Sequence, residues 1–273
     1  MKSQIRRAGF SAVSVLTVAI AFWEAAPAVV AAFSEEQAAP ATGSMPAPIP
    51  QTKAIPLEQR ADIFMARKNY ADAADYYYRA LKQSSFKNSV VWNKLGIAFQ
   101  QMSKFHSARQ AYTHAARADK TFAEAWNNIG TTYFMEDKVG KSVKYYQRAV
   151  ELKPYNASFH MNLGVSYSRL KKYDQAVEEY RTALGIDPKV MFHESSVGTV
   201  VHANGTDVEY YFYMAKAFAS LGNAEDAVRY LRHALEDGFN DPKRIGEDSD
   251  FKKISQYPAF VELMRNPPVA IKN

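Results

Sequence analysis

Between residues 54 and 238 apolar side chains recur at intervals of three and four, in stretches about a dozen residues long parted by short polar breaks. Trp126, Ile129, Gly130 and Tyr133 are spaced by three, one and three. Residues so spaced share one face of an α-helix. Ser142, Tyr146 and Ala149 mark a second such face just downstream. Lys68-Asn69, Ser103-Lys104, Asp137-Lys138, Lys171-Lys172 and Gly222-Asn223 form the polar breaks. The pattern predicts helix, tight turn, helix, five times over.

The faces also repeat among themselves. Trp92 and Trp126 stand 34 residues apart, and His160 follows 34 later. Leu95, Ile129 and Leu163 keep the spacing, as do Gly96, Gly130 and Gly164, and Phe99, Tyr133 and Tyr167. Further along each unit come Tyr112, Tyr146 and Tyr180, then Ala115, Ala149 and Ala183, with Pro154 and Pro188 closing two units. A fixed period of this length is the mark of a stacked repeat. Less regular copies flank the three good ones, with Tyr70, Ala73, Tyr77 and Ala80 before, and Met214, Ala215, Phe218, Ala227, Leu231 and Ala234 after.

The order aromatic, apolar-Gly, aromatic, then Ala, aromatic, Ala, then Pro resembles the tetratricopeptide repeat. The resemblance implies an all-α fold, a right-handed α-α superhelix of five helical hairpins with a concave groove. One hairpin cannot bury its apolar face alone, whereas stacked neighbours can. The array is placed at 54–238, with units near 54–88, 89–122, 123–156, 157–190 and 208–238. Seventeen extra residues, 191–207, break the register between the fourth and fifth units. Residues 239–273 form a cap and tail, in which Phe251, Ile254, Phe260 and Leu263 are expected to cover the last apolar face.

The front of the chain has another pattern. Lys2, Arg6 and Arg7 precede the uncharged run Ala8–Phe22, and Ala26-Pro27-Ala28 offers a small-x-small cleavage site. Residues 1–28 are therefore expected to be a secretory signal. The alternative, an uncleaved anchor from Ala8 to Phe33, would have to bury Glu24. Residues 29–53, rich in Ala and Pro, are expected to be a linker. A bacterial periplasmic or secreted location follows as an expectation, with membrane contact only through an uncleaved N-terminus.

Charge and chemistry narrow the function. The chain carries 34 Lys and Arg against 28 Asp and Glu, a net charge of +6. Removing residues 1–28 takes three bases and one acid, leaving 31 − 27, or +4, without a block of like charge. A nucleic-acid partner, which needs a clustered basic face, is not expected. There are no cysteines, so no disulfide, zinc-thiolate site or catalytic thiol is possible. No GxSxG, HExxH or phosphate-cradling glycine loop is present. Enzymatic activity and cofactors are not expected. Glu58, Asp62, Glu178 and Glu179 are expected to be solvated, and His160, in the column of Trp92 and Trp126, to pack.

In this family the groove is lined by the first helix of each unit. By register that gives Val90, Asn93 and Ile97, then Asn127, Thr131, Phe134 and Met135, then Met161, Val165, Ser168 and Arg169, then Phe212 and Lys216. Such a strip suits a peptide or a partner helix. A carboxylate clamp is matched at Asn128 and Asn162 but not at Asn93 and Ile97. The rival reading is a metal-binding or catalytic module in 191–207, centred on His193, His202 and Glu194.

Overall fold

The computed structural model describes residues 55–190 and 208–270. The signal, the linker, and the insertion with His193, Glu194 and His202 lie outside the described residues. All regular elements among the described residues are helices. Ten of them pair in sequence order, α1 (Leu57–Ala66) with α2 (Tyr70–Gln83), α3 (Ser89–Gln101) with α4 (Phe105–Ala118), and α5 (Ala123–Met135) with α6 (Val139–Leu152). The remaining pairs are α7 (Ala157–Arg169) with α8 (Tyr173–Ile186), and α9 (Val208–Ser220) with α10 (Ala224–Glu236). Three short helices follow: α11 (Pro242–Glu247), α12 (Ser249–Lys252) and α13 (Pro258–Arg265). The fold is an all-α solenoid.

Each column of the repeat has a mechanical task. Within a hairpin, the buried tyrosine of the second helix lies on the glycine of the first. A Cβ built on Gly96, Gly130 or Gly164 would meet the ring of Tyr112, Tyr146 or Tyr180 at 2.4, 2.8 and 2.6 Å. Only glycine leaves room for the ring at this crossing. The aromatic three residues later closes the first helix. The carbonyls of Phe64, Phe99, Tyr133, Tyr167 and Phe218 accept from the N–H of Asn69, Lys104, Lys138, Lys172 and Asn223. That bond requires a left-handed residue in between, and each turn has one: Lys68, Ser103, Asp137, Lys171 and Gly222, at φ of 57° to 74°.

The Trp column ties each hairpin to the connection before it. Trp92 Nε1 donates to the Phe86 carbonyl at 2.9 Å, and Trp126 Nε1 to the Lys120 carbonyl at 3.1 Å. His160 Nε2 makes the same contact with the Pro154 carbonyl, at 2.9 Å. Histidine replaces tryptophan here because its ring also offers an N–H. Its other nitrogen, Nδ1, lies 2.6 Å from the Glu179 carboxylate. Burial works against the imidazolium, but the bonds to Glu179 and Pro154 outweigh it and raise the pKa above its usual value of 6.5. Glu179 is thus an ion-pair partner rather than a solvated acid, whereas Glu178 pairs with Arg181 at the surface.

The expected cap is formed. Phe251, Ile254, Phe260 and Leu263 are all buried. Helix α12 packs on α9 and α13 on α10, so the cap covers both helices of the last hairpin. Asp241 and Asp248 cap α11 and α12 by accepting from the N–H of Arg244 and Asp250.

Candidate functional site: the inner wall

First helices of neighbouring hairpins, α3 with α5, α5 with α7 and α7 with α9, approach one another more closely than second helices do. They therefore form the inner, more tightly curved wall. Along it runs a row of amides. Asn128 Nδ2 donates to Asn93 Oδ1 at 3.0 Å, Asn127 Nδ2 to Asn128 Oδ1 at 3.2 Å, and Asn162 Nδ2 to Asn127 Oδ1 at 2.9 Å. All four side chains are buried. The amides that match the family's clamp column, Asn128 and Asn162, are committed to this row, which locks α3, α5 and α7 in register.

The N-terminal end of the wall is charged. Lys94 Nζ lies 2.9 Å from Glu58 and 3.0 Å from Asp62, and the Tyr77 hydroxyl donates to Asp62 at 2.6 Å. Burial opposes the Lys94 charge, but the two carboxylates outweigh it and raise its pKa. Burial together with Asp62 pushes the Tyr77 pKa far up, so its hydroxyl stays protonated. Glu58 and Asp62, expected to be solvated, instead hold α1 to α3. The sequence signal for this group was weak, because Lys94 lies 32 and 36 residues from its partners.

The structure divides the residues read from the register. Val90 and Met135 are exposed, at 47% and 46%. Arg169 is exposed as well, Ile97 and Phe134 are half-buried, and Asn93 is buried in the amide row. Arg169 lies 5.8 Å from the Phe134 ring centre and 3.0 Å from Asp137. Five other residues, Asn127, Thr131, Met161, Val165 and Ser168, are buried and offer no surface to a ligand. Thr131 accepts from the Tyr146 hydroxyl and donates to the Asn127 carbonyl, while Met161 and Val165 belong to the main apolar cluster.

Phe212 and Lys216 are occupied by the chain itself. The Phe212 ring stacks on Phe239 at 4.3 Å, and the Arg244 guanidinium lies 4.4 Å from its centre. Lys216 Nζ sits 2.6 Å from Asp248. The cap closes this face at α9. What stays open is the stretch from α1 to the C-terminal ends of α5 and α7.

The tetratricopeptide repeat profile matches residues 123–156 and 157–190, the two hairpins α5–α6 and α7–α8. These two hairpins are tetratricopeptide repeats. Among solved structures of similar fold, that of MamA is 24% identical, with a TM-score of 0.47 over 65% of this chain and 93% of that one. YrrB, described as a TPR protein with an unusual peptide-binding site, is 18% identical, with a TM-score of 0.46 over 68% and 87%. The first TPR of Spaghetti (RPAP3), bound to the HSP90 peptide SRMEEVD, is 22% identical, with a TM-score of 0.40 over 42% and 90%. No curated protein sequence matches the chain. The tetratricopeptide family is one of protein-interaction modules, and no catalytic family matches.

Proposed function

We propose that this tetratricopeptide-repeat protein is a non-enzymatic scaffold of the cell envelope that holds a peptide or helix of a partner protein along its inner wall. The supporting observation is the pair of exposed apolar side chains, Val90 and Met135, flanking a preformed amide row. The row fixes the wall before any ligand arrives, so little ordering cost falls on binding. Apolar anchors then contribute most of the affinity. The N-terminal signal pattern supports export.

A photo-crosslinking residue at Val90 or Met135 is expected to trap a partner in envelope extracts. One at Arg148, on the outer helix α6, is expected not to. Val90→Asp with Met135→Asp should weaken capture by at least about tenfold with the melting temperature unchanged, since both side chains are exposed. Equal trapping from Arg148, or full capture by the double variant, would rule the reading out.

A further inference from the structure

The hairpins are not evenly spaced. Tyr112, Tyr146 and Tyr180 follow one another at 34 residues, but Tyr77 precedes Tyr112 by 35. The additional residue falls in the connection between α2 and α3. There Ser85 and Phe86, consecutive and neither of them glycine, take left-handed conformations at φ 52° and 61°. The α4–α5 and α6–α7 connections contain no such residue. A left-handed phenylalanine costs about 1–2 kcal/mol, and strain of this kind persists where the surroundings impose it. The Phe86 N–H donates to the Leu81 carbonyl at 2.8 Å, and its own carbonyl accepts from the Trp92 indole at 2.9 Å. The backbone is clamped on both sides, and the ring is turned out to 41% exposure.

This ring forms one wall of an aromatic and cationic hollow. Phe86 lies 5.9 Å from both Tyr78 and Trp92, and Trp92 stacks on His114 at 4.5 Å. The open hollow has a volume of about 600 Å³ and is completed by Lys87 and Arg117, with no carboxylate in its lining. Neither cation has an acidic partner among the described residues. A neighbouring hollow of about 320 Å³ shares His114 and Arg117 and adds Arg109, whose charge is met by Glu136 at 3.0 Å. Flat apolar walls beside two unmatched cations recognise an anionic group adjacent to a ring. A nucleic-acid strand would require a track of cations for successive phosphates, whereas two cations in one hollow match one or two carboxylates.

We infer that the hollow between α2, α3 and α4 is a second binding site, for an acidic protein segment that carries an aromatic residue beside its carboxylates. It lies away from the Val90–Met135 wall and does not depend on that reading.

The test uses the full chain and fluorescein-labelled probes read by anisotropy. They are a five-residue peptide with Phe between two Asp-Glu pairs, its Phe-to-Ala and all-Lys counterparts, and a single-stranded thymidine oligomer. The first peptide is expected to bind saturably, and the other probes at least about tenfold more weakly. Lys87→Glu with Arg117→Glu, and separately Phe86→Gly, should each reduce binding by about tenfold or more. Phe86→Gly should leave the melting temperature equal or higher, because glycine relieves the left-handed strain. Val90→Asp with Met135→Asp should bind the peptide normally. Absence of saturable binding, undiminished binding by the charge-reversed variant, or preference for the oligomer would overturn the assignment.

Discussion

His160 shows how one column can hold different residues for one reason. Tryptophan and histidine share a ring N–H, and the preceding connection needs that donor. Histidine adds a second function, because both nitrogens are engaged only when the ring is charged. Its folded pKa lies above 6.5. A raised folded value means that this stabilisation is complete below pH 6.5 and is lost as pH rises through the folded pKa. The difference in unfolding midpoint between the native chain and His160→Ala should therefore be largest at about pH 5–6 and shrink as the solution is made alkaline. Denaturant melts across that range would check it, and a difference that grows with pH would contradict the Glu179 pairing.

Among the elements, the turns inside the hairpins obey a rule hidden in composition. All five place a left-handed residue at the same position, yet only Gly222 announces it. Lys68, Ser103, Asp137 and Lys171 are accepted there because the bond to the aromatic carbonyl fixes the turn. Lys171→Gly should raise stability by about 1 kcal/mol and Gly222→Ala should lower it by a similar amount, measured by urea unfolding. The helices themselves were legible from spacing alone, because period 3.6 acts within one element. The one-residue excess between Tyr77 and Tyr112 was present in the sequence as well, but its outcome, an outward-facing Phe86, depends on clamps from Leu81 and Trp92.

The assembled array depends on its end. A hairpin stack leaves an apolar face wherever it stops, and α11 to α13 cover that face through Phe251 and its neighbours. Phe251 contacts Phe212 and Phe260, with ring centres 5.7 and 6.1 Å away. Phe251→Ala should cost about 3–5 kcal/mol, and removal of residues 240–273 should produce self-association visible by light scattering. A truncated chain that stays monomeric with an unchanged melt would refute the capping role. The cap also limits function, since it takes Phe212 and Lys216 out of any groove.

Repeat spacing, helix faces, short turns and the need for a cap could all be written down from the chain alone, because each follows from a periodicity carried by neighbouring residues. Surface availability could not. Whether a first-helix side chain meets water or protein depends on everything that folds over it, and burial is a sum over distant segments. Thus Val90 and Phe212 belong to the same helix face by register, yet one is exposed and the other lies beneath Phe239 and Arg244. For the same reason Glu58 and Asp62 were legible only as acids until folding brought Lys94 between them.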